Sequence, residues 1–464
     1  MGAPLKPVEE VLLYESAAKI YPRQARGRYA KLRLLSMLVL LGIYYGLPWL
    51  SWHGQPLVFF DLPHRRFHVL WLTLVPQDLL LLALLLLLAA LTLFFFTSLA
   101  GRLWCGYACP QTVWTEAFLW MEQLCEGDRY ARIKLDRAPW NAGKILRKGA
   151  KHLLWLGFAL LTGLTFVAYF YPARQLFPAA LQLQLSGWPL FWSLFYGFAT
   201  WGNAGFMREQ VCKYMCPYAR FQSAMFDRDT LIIAYDEKRG EPRKSAAKKA
   251  GGKPADCVDC SLCVQVCPMG IDIRQGLQYE CIACAACVDV CDQVMDSVDK
   301  PRGLIRYTSA RHDAGGRFHL FRARTLGYGS VWLAACAAFT FLVLNHSTLR
   351  FDVLRDRHAL YRELSSGAIE NVYTLKVTND DRRSHRYAVS AHFADGTPLT
   401  VEPRELEREA EETGATVVTL RTPPRNADSP PLPMVEPVLV ELDEEDEPGV
   451  SRERNARFLT GGKS

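Results

Sequence analysis

Eight of the fourteen cysteines fall in two quartets, Cys257, Cys260, Cys263, Cys267 and Cys281, Cys284, Cys287, Cys291, each spaced C-x2-C-x2-C-x3-C. No other feature narrows the possible folds so far. Two residues between successive thiols let one tight loop present three sulfurs to the corners of an iron–sulfur cube. In two-cluster bacterial ferredoxins the fourth sulfur comes from the other quartet. The expected ligand sets are therefore crossed: Cys257, Cys260, Cys263 and Cys291 for one [4Fe–4S] cluster, and Cys281, Cys284, Cys287 and Cys267 for the other. Structural zinc and disulfides compete for thiols in such numbers, but zinc sites pair C-x2-4-C units across a longer gap, which neither quartet shows. Pro268 follows the first quartet and Asp292 takes its place after the second, a change that removes no ligand. Two clusters in one fold imply electron transfer.

Five stretches carry no charged residue over about the length a bilayer requires: Leu34–Trp52, Leu79–Ala100, Leu153–Tyr171, Leu185–Met207 and Leu326–Leu344. Trp49, Trp52, Trp104, Trp188 and Tyr171 lie at or near their ends, where amphipathic rings favour the headgroup layer. One such stretch could be a buried helix of a soluble core; five mark a multi-pass membrane protein. The first follows a charged segment over thirty residues long, unlike a cleavable signal peptide.

Lysine and arginine set the expected orientation. Residues 1–33 carry seven, 53–78 two, 101–152 nine, 172–184 one and 208–325 nineteen. Positive charge favours the cytoplasm, which places the N-terminus, the 101–152 loop and both quartets inside and the C-terminus outside. The absence of any cysteine after Cys336 agrees, because thiols stay reduced in the cytoplasm. The net charge of +7 thus reflects topology, and no nucleic-acid partner is expected. The expected organisation is a cytoplasmic segment 1–33, four transmembrane helices within 34–237, a basic linker 238–254, a two-cluster ferredoxin domain 255–325, a fifth transmembrane helix 326–344 and an exported domain 345–464. In that last domain Asn371–Thr378, Arg386–Phe393, Ala415–Leu420 and Pro437–Leu442 read as strands of a small β-sandwich, with Tyr373, Leu375 and Val377 on one face. Pro423–Pro433 reads as a proline-rich excursion.

Four further cysteines form a repeated motif. Cys105 and Cys109 precede Pro110, Cys212 and Cys216 precede Pro217, and each C-x3-C-P lies just past an inward-running span. Proline disfavours helix at the residue before it and is favoured at the first position of a new one. Each dithiol therefore marks a helix break, where N-terminal N–H groups would lower a thiol pKa. Soft thiolates favour Cu(I), and paired thiols can cycle to a disulfide; burial as small apolar residues is the plain alternative, and the one applied to Cys125 and Cys336.

The segments GRLWCGYACPQTVW (101–114), CKYMCPY (212–218), GLQYECIACAACVDVCD (276–292), PRGLIRY (301–307) and DVLRDRHALYRE (352–363), in that order, resemble the FixG/CcoG family of cytochrome c oxidase accessory proteins. The resemblance runs over essentially the whole chain. It implies a multi-pass polyferredoxin of the bacterial cytoplasmic membrane with a C-terminal immunoglobulin-like domain, acting in assembly of cbb-type haem–copper oxidase by reducing Cu(II) to Cu(I). Implied partners are a copper transporter or chaperone and oxidase assembly factors. The dithiols also resemble those of membrane polyferredoxins in periplasmic nitrate and nitrous oxide reduction. The fold class expected is a five-helix membrane protein with a bacterial-type ferredoxin domain and an immunoglobulin-like sandwich.

On this reading Cys105, Cys109, Cys212 and Cys216 are the candidate copper-binding and catalytic residues. The alternatives are a conduit to another redox protein without copper, and a copper chaperone or scaffold without turnover. No G-x-G-x-x-G follows a strand, so no nicotinamide or flavin motif marks the electron donor, and a quinol or small carrier is left. His152 reads as an interfacial histidine, with a metal or quinone role as the alternative, and His64 and His68 as surface residues of the first external loop.

Overall fold

A computed structural model of the chain describes residues 19–52, 55–70, 72–245, 253, 255–317, 319, 321–345, 349–356, 361–380, 383–410, 412–424, 434–444 and 451–460. Residues 1–18 of the N-terminal segment, 246–252 and Pro254 of the linker, 357–360 of the 352–363 motif and 425–433 of the proline-rich stretch lie outside them. The chain divides into two compact units, Met1–Leu70 with Pro76–Phe339, and Trp71–Val75 with Thr340–Ser464.

Among the described residues four helices are long and apolar enough to cross a membrane: Arg28–Trp49, Leu79–Ala100, Ala142–Val167 and Ala323–Leu344. The expected span Leu185–Met207 differs. Its α-helix covers only Gly187–Thr200, and Trp201–Met207 continues as a π-helix. Fourteen α-helical residues rise about 21 Å, short of a hydrocarbon core of about 30 Å. Gly202, Asn203 and Gly205 are weak helix formers, and the Arg208 N–H turns back to Asn203 O (2.7 Å). The third span begins at Ala142, well before the expected Leu153. Asn141 caps it by accepting from Lys144 N–H (2.8 Å), and Glu126 meets the lysines of its early turns, Lys148 at 3.0 Å and Lys151 at 3.1 Å.

Small residues let this helix meet Gly187–Thr200 closely. A Cβ on Gly163 would lie 2.2 Å from Ser193 O and 2.6 Å from Gly197 N, so the two backbones touch. The helix Pro110–Glu126 packs Phe118 onto Trp155, whose indole N–H donates to Phe118 O (3.0 Å). Its fully buried Glu122 meets Arg208 at 2.8 Å and Arg132 at 3.4 Å. Charge buried at this level is stabilised only by such pairing.

The quartets sit between strand Ile232–Tyr235 and strand Ile305–Thr308, which pair antiparallel with Ile233 opposite Tyr307. The cluster-bearing fold thus recruits a strand from before the linker, and the expected boundary at 255 falls inside it. Asp289, on helix Ala286–Ser297, accepts from the N–H groups of Tyr29 (3.1 Å) and Ala30 (2.7 Å), capping the first span helix. That carboxylate satisfies two donors a helix start leaves orphaned.

The second unit is a sandwich of two antiparallel sheets. One orders Thr400–Glu402, Thr413–Arg421, Ile369–Asn379 and Leu349–Arg355, with Arg362–Glu363 pairing the start of Ile369–Asn379. The other orders Glu405–Arg408, His385–Phe393, Val435–Glu444 and Ser451–Leu459. Tyr373, Leu375 and Val377 are buried in the core, as the alternation requires, and the Tyr373 hydroxyl donates to Arg457 O on the opposite sheet (2.9 Å).

Candidate functional site

The two quartets fold alike. In the first, Asp259 and Ser261 flank Cys260 with φ of 55° each; in the second, Ala283 and Ala285 flank Cys284 with φ of 53° and 57°. Side chains rarely adopt this left-handed conformation, so each loop carries a backbone cost repeated at equivalent positions. The turns wrap the loops around two hollows. Cys257, Cys260, Cys263 and Cys291 line one; Cys267, Cys281, Cys284 and Cys287 line the other, with Cys263 on the wall between them.

The donor set fits iron–sulfur cubanes. Nothing in the described residues brings three His, Cys, Asp or Glu donors around one point closely enough for a single metal ion. The thiols of each quartet are thus spread more widely than the ligands of a single zinc ion. Burial pushes Cys281 and Cys291 up to about 12 and Cys263 and Cys267 up to about 11, so these thiols ionise at neutral pH only against a bound cationic group. Cys260 is exposed while Cys257, Cys263 and Cys284 are buried, so the first hollow reaches nearest to solvent.

The dithiols lie against the second hollow. Cys105 sits in the short helix Leu103–Tyr107 and Cys212 in the π-helical segment Val211–Met215. Cys109 and Cys216 have extended backbone and stand immediately before Pro110 and Pro217, which open helices Pro110–Glu126 and Pro217–Ala224. The helix breaks are where proline requires them. Cys105 and Cys212 pack onto a cluster of buried residues containing Met269, Ile282 and Cys284. Gly106 is the point of closest approach: a Cβ there would lie 2.6 Å from Ile282 O and 3.0 Å from Cys284 N. Beside it the Arg102 guanidinium, 3% exposed, donates to Tyr279 O in the second-quartet loop and to Ala219 O in the helix after Cys216. The Cys105 thiol contacts Gln222 Oε1 at 3.1 Å. The Tyr307 hydroxyl donates to Ala283 O (2.6 Å) and lies 3.3 Å from the Tyr107 hydroxyl.

The dithiol electrostatics reverse one expectation. Burial raises the Cys105 thiol to about 12, with Cys109, Cys212 and Cys216 adding to the shift, and burial raises Cys212 to about 11. For Cys109 burial again outweighs all else; the N–H groups of Thr112 and Gln111 pull the thiol down as a helix start should, yet its pKa ends raised. The expected lowering fails because desolvation exceeds the N-terminal donors. The mutual influence brings all four thiols into one electrostatic neighbourhood.

Arg102, Gly106 and Gln222 have no linear motif; only the CxxxCP context around the first two hints at them. His152 stacks on Phe206 (5.8 Å between centroids) and meets Trp155 edge-on (5.3 Å). His64 is exposed beside Asp61, but His68, 2% exposed, is buried on strand Arg66–Val69, correcting its reading as a surface residue.

Three family models match the chain: a 4Fe-4S dicluster domain over residues 207–310, a 4Fe-4S binding domain over 82–124, and an IG-like fold at the C-terminal of FixG over 339–461. Among curated proteins the chain is 41% identical over 409 residues to the nitrogen fixation protein FixG of Rhizobium meliloti, covering 79% of this chain and 78% of that one. It is 40% identical over 412 residues to protein RdxB of Cereibacter sphaeroides, covering 84% and 86%. The crystal structure of a FixG-related protein from Vibrio parahaemolyticus aligns at 21% identity and TM-score 0.21, over 25% of this chain and 99% of that one.

Proposed function

The chain belongs to the FixG family, a membrane redox protein with iron–sulfur clusters, and from that premise we propose that it is a cupric reductase. In this reading the crossed quartets hold two [4Fe–4S] clusters, and Cys105, Cys109, Cys212 and Cys216, no three of which converge on one point in this structure, take Cu(II) as substrate and release it as Cu(I) for assembly of a cbb-type oxidase. The bound clusters supply single electrons. The observation that carries the reading is the backbone contact between Gly106 and Cys284, which leaves no room for a side chain between the dithiol turn and a cluster-ligand loop. Arg102 holds that contact by tying both loops at once. Thiolates prefer Cu(I), which raises the copper potential and favours reduction. Because burial keeps Cys105 and Cys212 protonated at neutral pH, copper binding displaces a proton from each thiol it takes.

The break in the Gly187–Met207 helix is read as a fifth crossing completed by its π segment, with the N-terminus and quartets cytoplasmic and the sandwich periplasmic. A copper transporter or chaperone would deliver or remove the ion. The test is anaerobic: reduce the purified protein with dithionite, remove the excess, add Cu(II), and follow cluster absorbance with a Cu(I)-specific chelator. One Cu(I) per electron lost from the protein supports the reductase; reduced protein indifferent to Cu(II) removes it.

A second reading has one observation in its favour. Residues 82–124, which include Cys105 and Cys109, match a 4Fe-4S binding domain, so the dithiols could pass electrons to another membrane protein without copper. The same experiment separates the two.

A further inference from the structure

A cavity of about 410 Å³ opens beside the first hollow, between the segment before the first span, helix Arg129–Arg137 and helix Ala286–Ser297. Leu262, Val290 and Val294 line both spaces, so one layer of apolar side chains separates the cavity from Cys257, Cys260, Cys263 and Cys291. The rest of its wall is strongly basic. Arg23, Arg26, Arg129 and Arg132 face a single acid, Asp128, whose carboxylate is occupied in capping Ala131 N–H (2.9 Å).

Of these guanidiniums, those of Arg23 and Arg26 are the ones open to a ligand, and Arg129 and Arg132 are held in place by the protein. Arg23 and Arg26 are exposed and form no ion pair among the described residues. Arg129 uses Nε on Tyr21 O (2.9 Å). Arg132 is 4% exposed; its terminal nitrogens donate to Glu122 Oε2 (3.4 Å) and Pro22 O (2.6 Å), and its Nε has no hydrogen-bond partner. Gln123 donates to Gln24 Oε1 (3.2 Å), which leaves Gln123 Oε1 and Gln24 Nε2 unspent, and the Tyr130 ring completes the lining.

We propose that this cavity binds a phosphate-bearing flavin, which enters reduced and is the electron donor. Arginine forks match phosphate bidentately. Glutamine amides offer the alternating donors and acceptors that the polar edge of an isoalloxazine needs, and Leu262, Val290 and Val294 offer the apolar wall its ring needs. The volume lies in the range of small-molecule pockets, not of a flat protein-docking surface. The proposal rests on the electron-transfer reading and supplies its input. A dihydroflavin gives up two electrons in single steps and two protons to water, leaving oxidised flavin; the electrons pass through the Leu262–Val290–Val294 layer to the iron held by the adjacent thiols. Input at the solvent-near first hollow and output at the dithiols beside the second place the two exchanges at opposite ends of one module.

The probes are flavin mononucleotide, riboflavin and inorganic phosphate, titrated by flavin fluorescence into the full-length protein in detergent. Flavin mononucleotide is expected to bind saturably. Riboflavin, and flavin mononucleotide with the R23Q/R26Q variant, are expected to bind about tenfold or more weakly, the effect of about 1.4 kcal/mol. Anaerobic reduction of the iron–sulfur absorbance by dihydroflavin mononucleotide should saturate and fall by a similar factor in that variant, while iron content and reduction by dithionite stay unchanged. Equal binding of riboflavin, or reduction that never saturates, overturns the proposal. So does binding of inorganic phosphate or of anionic lipid micelles that displaces the flavin without slowing cluster reduction, which would mark an anion site only. Saturable, salt-sensitive reduction by an acidic ferredoxin but not by the dihydroflavin also overturns it, in favour of a protein donor. If the flavin arm fails while dithionite-reduced protein still reduces Cu(II), the cupric reductase reading stands and only this site falls.

Discussion

Gly106 and Cys284 touch through their backbones: a methyl group on Gly106 would lie 3.0 Å from both the nitrogen and the α-carbon of Cys284. The first dithiol turn and the second-quartet loop are therefore one packed object, which makes the glycine a sensitive probe of the route between them.

Gly106→Ala should force that turn away from Ile282 O and Cys284 N, because neither obstacle is the end of a flexible side chain. Overpacking of this kind costs about 1–3 kcal/mol. Thermal unfolding should shift down, and electron transfer to Cu(II) should fall more than iron content does. Gly42→Ala, where nothing lies within 4 Å, is the control and should leave both unchanged. Equal behaviour of the two variants would show that the contact does not matter.

The crossed hollows make a specific claim about ligands. Cys291→Ser should damage the centre lined by Cys257, Cys260 and Cys263, and Cys267→Ser the one lined by Cys281, Cys284 and Cys287. Electron paramagnetic resonance of the reduced variants should show one cluster signal perturbed in each case, and a different one. Loss of the cluster of the mutated residue's own quartet would mean uncrossed ligation.

Asp136 gives a pH test. Burial pushes its carboxyl up, but hydrogen bonds from Lys148, Lys19 and Tyr21 more than reverse this and hold it well below the usual carboxylate range. A depressed folded pKa contributes stability that is complete above the unfolded value of about 3.9 and is lost as pH falls toward the folded one. Asp136→Asn should therefore lower the unfolding temperature at pH 7, and the gap to the parental protein should begin to narrow below about pH 4. A gap that stays constant down to pH 3 would assign the loss to packing instead.

Much of this site could be read from spacing alone. The two equivalent quartet loops, the breaks before Pro110 and Pro217, and the buried face of Tyr373, Leu375 and Val377 all follow from local rules of loop length, proline geometry and strand alternation. What escaped is what depends on juxtaposition. Arg102 reads as one more basic loop residue until its donors are seen on Tyr279 O and Ala219 O, from segments over a hundred residues apart from it. The raised thiol pKa of Cys109 escaped because its helix-start N–H groups are local, whereas the burial that outweighs them is tertiary. Strand Ser451–Leu459 carries SRERN and buries only Phe458 of its apolar residues, so its edge position hid it from an alternation test. The π segment at Trp201–Met207 looked like the end of an uninterrupted span because apolar composition does not report hydrogen-bond register.

Orientation is open to a direct check. A reporter fused after Leu344 should be active only outside the cytoplasm, and one inserted within the basic linker 238–254 only inside it. Both reporters active on the same side would show an even number of crossings between them, which removes the topology proposed here.

The central claim is that electrons leave through the paired thiols. Cys109→Ser and Cys216→Ser, each verified to retain the parental iron content, should be reduced with dithionite and mixed with Cu(II) while Cu(I) is trapped by chelator. The account predicts that Cu(I) production and copper binding fall together, by at least about tenfold, the effect of about 1.4 kcal/mol at the transition state. Cu(I) production at the parental rate in both variants would contradict it, and would move copper reduction to the iron–sulfur centres themselves.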